Sequence, residues 1–442
     1  MATDTSKAPW RKSTFDPQRP LRGQRAGWSN SRNARGHGSP AYTPRNQPAV
    51  EALPPDRDLF ENLHPTPLKT LAKVSASRGD EDVRVTDYEY IGSYSWTGCE
   101  APTVIVPGAP RHWLNRNAPY NVQPDFGLFF IDHNGYKMPK APLVPLVAAV
   151  TKRVETNPEV EFDWPSIDFV ADRNFLRKLL RWVRNEDPAK DFRFDLELAG
   201  EKTVLVNRYE ARHREQYNGR TYGYNFEKSS TEAAPGCQKA TGHHRIAKYD
   251  LNGLKMVVRF EVDACLPPTR SRKSIDIEMS KAAVEEVAGL LAAVDLSSGT
   301  SSTSQSPFNL NIIQGGYEAK PPTIMELTTR FEGRLKDFDW EDKYNQIFFS
   351  QTPHHVLAVH NRGRFSEIQR RKLSDPQFQD IDKKMQPGFK ALRKALGTIQ
   401  QLVIENGHRG RLTLVCKDKE LKVYERTNQD SCLPDHMIAL FD

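Results

Sequence analysis

Two carboxylates stand two positions apart in the apolar run VVRFEVDA at 257–264. With the two-residue period of a strand, Val258, Phe260 and Val262 form a core face, and Arg259, Glu261 and Asp263 point the other way. Acids on an interior-looking strand are costly unless positive charge meets them. A divalent cation is one solution, because hard oxygen ligands suit magnesium or manganese. A solvated acid pair on an exposed strand face is the other. The run IMELTTR at 324–330 repeats the pattern, with Glu326, Thr328 and Arg330 on one face and Met325, Leu327 and Thr329 on the other. A further acid, Glu227, follows Phe226 in GYNFE (223–227) and alternates out of the core if that piece is extended. The segment DWEDKYNQIFFSQ (339–351) has helical spacing, with Trp340, Tyr344, Ile347, Phe348 and Gln351 on one face. Carboxylate-bearing apolar strands beside a helix that ends in an amide look like a site built on a sheet, with the chemistry of carboxylates that hold hard cations.

The elements that must carry these residues follow from periodicity. DYEYIGSYSW (87–96), FGLFFID (126–132), SIDFVA (166–171), PTIMELTTRF (322–331) and HVLAVH (355–360) read as strands. PLVPLVAAVTKRV (142–154) reads as a helix, and so does RNFLRKLLRWVRN (173–185), which has Leu176, Leu179, Leu180 and Val183 on one face. Another helix is expected near 385–405 and a closing strand pair around 411–426. FRFDLEL (192–198) and TVLVNRY (203–209) form one predicted hairpin, and the Asn252-Gly253 turn between RIAKYD and LKMVVRFEVDA forms another. Strands and helices mix without a βαβ rhythm or an internal repeat, so the expected fold class is α+β, a single domain with mixed β-sheets flanked by helices. That domain is assigned to 81–442, with residues 1–80 a disordered basic tail and 269–308 a disordered low-complexity insertion.

Composition narrows the function classes. The net charge of the 442-residue chain is +7, from 63 basic and 56 acidic residues. The first 50 residues hold nine Lys/Arg and two acids, 9 − 2 = +7, so the remainder balances at 54 against 54. The basic excess is therefore a property of the tail rather than of a basic domain. No run of 18 apolar residues and no apolar leader is present, which predicts no membrane association and a nuclear or cytoplasmic protein. Five cysteines without CxxC spacing argue against a disulfide framework or a structural zinc site and read as buried free thiols. The pairs His243-His244 and His354-His355, with His360, lack zinc-site spacing and read as structural. Neither GxxxxGK[ST] nor GxSxG occurs.

The order of motifs is the most specific signal. Arg173 opening a helix, then Gly-Tyr-Asn-Phe-Glu, Glu-Val-Asp, Glu-Leu-Thr and a helix ending in Gln351 resembles the DXO/Rai-type decapping nuclease family, most of all its divergent fungal members. The resemblance covers about 86–435, apart from the insertion. It implies Glu227, Asp263 and Glu326 as metal ligands with the Leu327 carbonyl, Glu261 holding a metal-bound water or a second ion, and Arg173 and Gln351 contacting the RNA 5′ phosphates. It also implies Mg2+ or Mn2+ as cofactor, and hydrolysis at an RNA 5′ end that carries a triphosphate, an incomplete cap or an NAD cap. Some members go on to degrade RNA 5′→3′, and some stabilise a 5′→3′ exoribonuclease partner. One departure matters: the family's fourth box has lysine where this chain has Thr328. Losing one such electrostatic contact costs about 10²–10³ in rate. Arg330, Lys255 and Lys281 are the expected sources of a relocated cation, with a phosphate contact or a surface ion pair as the other role for Arg330. The competing expectations are a catalytically weak member that binds RNA 5′ ends or an exoribonuclease, and a DNA nuclease of the broader PD-(D/E)xK type.

Overall fold

A computed structural model describes residues 53–77, 79–186, 190–268, 309–408 and 410–442. The first 52 residues and the expected insertion 269–308 lie outside the described residues. Two large mixed sheets organise the rest. The eleven-stranded sheet runs in the order β1 (Lys69–Leu71), β20 (Glu420–Glu425), β19 (Leu412–Lys417), β8 (Phe192–Ala199), β9 (Thr203–Tyr209), β7 (Phe169–Asp172), β13 (Lys255–Glu261), β12 (Ala240–Leu251), β2 (Val85–Thr97), β3 (Thr103–Gly108) and β15 (Asn311–Gly316). The seven-stranded sheet runs β11 (Thr231–Glu232), β4 (His112–Trp113), β14 (Ala264–Cys265), β16 (Ile324–Phe331), β17 (His354–Asn361), β18 (Arg364–Lys372) and β5 (Tyr120–Asn121). A small ribbon pairs β6 (Phe126–Phe130) with β10 (Arg214–Asn218). The helices are α1 (His133–Lys137), α2 (Val144–Thr156), α3 (Arg173–Val183), α4 (Gly223–Ser230), α5 (Trp340–Ser350), α6 (Pro376–Asn406) and α7 (Asp435–Ile438). This is the expected α+β architecture, and none of the described helices is long and apolar enough to cross a membrane.

The alternation of β13 sets both faces of the large sheet. Met256, Val258 and Phe260 join the core under α3, α5 and α6, while Val257 joins the opposite core with α2. Both predicted hairpins are present, β8 against β9 and β12 against β13, the second closed at Asn252-Gly253 with both residues in the left-handed region. The third core, beneath the small sheet, gathers Trp113, Phe226, Met325, Leu327, Val356 and Phe365. Four of the five free cysteines are buried as expected, and Cys99 is exposed.

Four local readings are corrected. GYNFE is not extended: it opens α4, whose Asn225 N–H is taken by the buried Asp125 carboxylate at 2.8 Å. The β13 strand ends at Glu261, so Asp263 lies in a two-residue break before β14 rather than in the same strand. Helix α6 begins at Pro376, well before 385, because Pro at a first helical position has no N–H to lose. Lastly, part of the stretch read as tail is built into the fold. Strand β1 pairs with β20, and the buried Arg193 donates to the carbonyls of Leu59 at 3.2 Å and Glu61 at 2.6 Å. Strand pairing, carbonyl capture by an arginine and the burial of Leu71 hold this piece, and composition does not register the first two.

Candidate active site

The parallel strands β7 and β13 run side by side until β7 ends at Asp172, opposite Arg259 and two residues before the end of β13. The chain leaves one as α3, beginning with Arg173, and leaves the other as Glu261-Val262-Asp263. Arg259 fixes this junction. Its guanidinium donates to both oxygens of Asp172 (2.6 and 3.0 Å), to Tyr94 Oη (3.1 Å) and to the Pro142 carbonyl (2.6 Å), all of it buried. From the other sheet β16 brings Glu326, since its neighbours Met325 and Leu327 face the third core. Arg173 donates to Glu326 Oε2 at 2.9 Å and Oε1 at 3.3 Å, with both side chains buried, and also reaches Ser350 Oγ at 3.3 Å. Asp263 Oδ2 accepts the Leu327 N–H at 2.7 Å.

Glu227, Glu261, Asp263 and Glu326 therefore converge, and their charges act on one another. Glu227 titrates well above the ordinary carboxylate range, through burial and then repulsion from Asp263, Glu261 and Glu326. Asp263 is also pushed well up, by burial and then by Glu326, against the pull of the Leu327 amide. Glu261, wetted by the cavity yet deep below the protein surface, is raised by loss of bulk water and by Glu326. Among the described residues, no three His, Cys, Asp or Glu side chains form a ready metal shell. Glu326 is turned to Arg173 and to the Gln346 amide. The donor set nevertheless suits a hard divalent cation, being all oxygen and electrostatically frustrated without one. Gly242 keeps one corner open, for a Cβ there would lie 3.3 Å from both Glu261 Oε1 and His133 Nδ1.

Glu227, Glu261 and Asp263 line one wall of a cavity of about 790 Å³, and Glu326 stands behind them, bonded to the cavity residue Arg173. Other walls carry Arg111, Arg173, Arg177, Arg208 and Lys228, and the aromatic pair Phe129 and Tyr224, stacked with centroids 4.0 Å apart. An acidic floor under basic and aromatic walls fits an anionic, ring-bearing ligand. One Arg177 nitrogen donates to both carboxylate oxygens of Asp342 of α5, each at 2.9 Å, which fastens that helix beside α3.

Two substrate-side expectations are corrected. Gln351 caps its own helix, in the left-handed region, and donates to the Phe348 carbonyl at 2.7 Å. The glutamine that reaches the acids is Gln346. Arg330 points away, donating to the carbonyls of Arg334 (2.9 Å) and Asp337 (3.0 Å). Among the other expected cations, Lys255 is exposed at the far end of β13, and Lys281 lies outside the described residues. Thr328 is at the site's edge, sharing a 3.1 Å hydrogen bond with His355 Nε2. Sequence reasoning missed Lys343, Gln346 and Ser350, which share one helical face by i, i+3, i+7 spacing. The apolar face read as part of the site, Tyr344, Ile347 and Phe348, lies in the core.

The buried histidines of the site predict acid sensitivity. Burial, then the charge of Arg245, holds His243 at about 3; its Nδ1 shares a 2.9 Å hydrogen bond with Ser95 Oγ. A histidine whose pKa is depressed on folding contributes stability above the unfolded value near 6.5, and this is lost as pH falls toward 3. The raised carboxylates act in the opposite sense, so the difference between variants isolates the imidazole. His243→Gln is expected to move the acid-unfolding midpoint to lower pH, as read by circular dichroism; an unmoved midpoint would show that His243 is already charged in the fold.

Comparison with known proteins places this architecture. No curated protein sequence matches the chain. Among solved structures it is similar to Scheffersomyces stipitis Rai1 in complex with (3′-NADP)+ and calcium ion, with TM-score 0.53 and 12% identity over 85% of this chain and 99% of that one. It is also similar to Candida albicans Rai1 in complex with pU5-Mn2+, with TM-score 0.50 and 12% identity over 84% and 99%. The resemblance drawn from motif order holds at the level of the fold. By sequence, the chain belongs to the family described as Domain of unknown function (DUF8563), whose model matches residues 74–441.

Proposed function

We propose that the cavity is the active site of a divalent-metal-dependent hydrolase acting on the 5′ end of RNA, as a decapping or 5′-phosphate-releasing enzyme in RNA quality control. The observation that carries this reading is the convergence of Glu227, Glu261, Asp263 and Glu326, drawn from two sheets and a helix, beneath arginine-lined walls. Two proteins of this fold were solved with a 5′-phosphorylated uridine oligomer and manganese, and with a dinucleotide and calcium, which supports the choice of ligand class. Glu227, Asp263 and Glu326, with the Leu327 main chain, would hold Mg2+ or Mn2+, and Glu261 a bound water or a second ion. Such an ion supplies Lewis-acid polarisation of the phosphate oxygen and a more acidic attacking water. The chain's own part is positional. Arg173 orients the 5′ phosphates once it leaves Glu326, Arg111 and Arg208 neutralise the following backbone, and Phe129 with Tyr224 offers a ring surface for a base. In the same reading residues 1–52 add nonspecific RNA affinity, and the protein works in the nucleus or cytoplasm.

Thr328 favours a second reading, a member that binds RNA 5′ ends or an exoribonuclease without hydrolysis. Purified protein with 5′-triphosphate RNA and with single-stranded DNA, plus Mg2+ or Mn2+, separates these. Product from RNA but not from DNA is expected, and no product above a Glu326→Ala control would leave only the binding role. Independently of turnover, Mn2+ should stabilise the folded protein by mass action, about 2.7 kcal/mol at a hundredfold excess over Kd. Thermal unfolding with and without Mn2+ reads this directly, and the shift should vanish in Asp263→Asn.

A further inference from the structure

Thr328 has spent its hydroxyl on His355, and Arg330 is tied to loop carbonyls, so strand β16 delivers no cation to the cavity. The positive charge beside Thr328 comes from the neighbouring helix. His355 is completely buried and held at about 3, by burial and then by the charge of Lys343. Burial and then the charge of Arg177 pull the Lys343 ammonium below the usual lysine range, against the opposing pull of Asp342, Glu326 and Asp263. Lys343 Nζ donates to Gln346 Oε1 at 3.2 Å, and Gln346 donates through its amide nitrogen to Glu326 Oε1. Of its three donors, this is the one that a described residue's acceptor takes.

The placement is enforced from behind. Asp342 is gripped by Arg177 at 2.9 Å and by Arg181 at 2.5 Å, Tyr344 Oη donates to Asp382 at 2.7 Å, and Ile347 and Phe348 sit in the core. Helix α5 cannot turn Lys343 away from the acids without breaking these contacts. Of the other nearby cations, Arg173 is paired with Glu326, Arg177 with Asp342 and Arg208 with Glu210; Arg111 donates to Thr231 and acts on Glu227, and Arg371, which also acts on His355, donates to Gln377 and lies over Trp340.

We infer that Lys343 supplies, from helix α5, the cation that position 328 of strand β16 lacks, contacting the phosphate that is hydrolysed beside Glu326 and Asp263. This rests on the hydrolase reading of the same acidic cluster. Charge stabilisation in a desolvated site depends on where the ammonium stands, not on which element carries it. A lysine on the helix face that holds Gln346 therefore serves as well as one on the strand.

The test compares wild type, Glu326→Ala, Lys343→Met, Lys343→Gln, Lys343→Arg and the double variant Thr328→Lys/Lys343→Met on 5′-triphosphate RNA with Mn2+, each checked for folding by thermal unfolding. The expected result is a kcat loss of about 10²–10³ for Lys343→Met and Lys343→Gln. Partial retention in Lys343→Arg and recovery of at least tenfold in the double variant should accompany it. Lys343→Met or Lys343→Gln within threefold of wild type, with Glu326→Ala inactive, overturns the assignment and leaves the hydrolase standing. If wild type itself makes no product above Glu326→Ala, the hydrolase reading fails and binding decides. Affinities for 5′-phosphorylated and 5′-hydroxyl oligouridylate are then measured in Ca2+. A preference for the phosphate that drops in Lys343→Met supports the contact, and an unchanged preference refutes it.

Discussion

Glu326→Ala is expected to abolish 5′-end hydrolysis and, in the same protein, to lower stability by about 3–5 kcal/mol. Both effects come from one contact. Glu326 is the buried partner of a buried Arg173, whose guanidinium engages both carboxylate oxygens. Truncation takes from that buried arginine its hydrogen-bonded counter-ion, and losing half of a buried ion pair is strongly destabilising. The chemical effect follows because Glu326 stands within electrostatic reach of Glu261 and Asp263 and in the proposed reading is one of the acids that would hold the metal. The two losses can be separated. Arg173→Met/Glu326→Leu removes both charges and fills similar volume, so it should regain most of the stability and none of the activity. Urea unfolding and a 5′-triphosphate RNA assay on both variants check this. A fully stable Glu326→Ala would mean that the Arg173 charge finds another partner.

Arg259→Met is expected to be the most damaging substitution outside the acids, again about 3–5 kcal/mol. Arg259 is 1% exposed, and all its hydrogen bonds go to buried groups. Without it Asp172 is a buried anion at the start of α3, directly before Arg173. For a domain of this size, at about 2 cal mol⁻¹ K⁻¹ of unfolding entropy per residue, the melting temperature should drop by roughly 4–7 °C. Because Asp172 also sets where α3 begins, hydrolysis should fall even in the folded fraction. Calorimetry alongside single-turnover rates distinguishes this from a stability loss alone, in which the rate per folded molecule would be unchanged.

The strands were legible because their signal is local. β2, β7, β8, β9, β13, β16 and β17 are apolar runs with turn residues between them, and each formed near where its run lies. The acids were legible for a related reason, since a carboxylate inside an apolar run is costly unless a cation or a hydrogen-bond donor meets it. What failed depends on distant partners. GYNFE is helical because Asp125, about a hundred residues earlier, takes its Asn225 amide. Residues near 60 are ordered by Arg193 from another strand. The functional face of α5 was overlooked because its apolar face is the more conspicuous one, and that face is core. The polar face, Lys343, Gln346 and Ser350, becomes meaningful only once β16 is known to lie against it.

Glu261 is the last residue of β13 in the eleven-stranded sheet, and Glu326 belongs to the seven-stranded one. The chain passes between the sheets at Val262 and Asp263, and the Arg173–Glu326 pair straps across the same gap. The acidic floor of the cavity is thus also a mechanical joint. Whatever balances those four negative charges, guanidinium or metal, sets how firmly the two sheets are seated on each other, so electrostatic state and rigidity are a single variable at this point of the molecule.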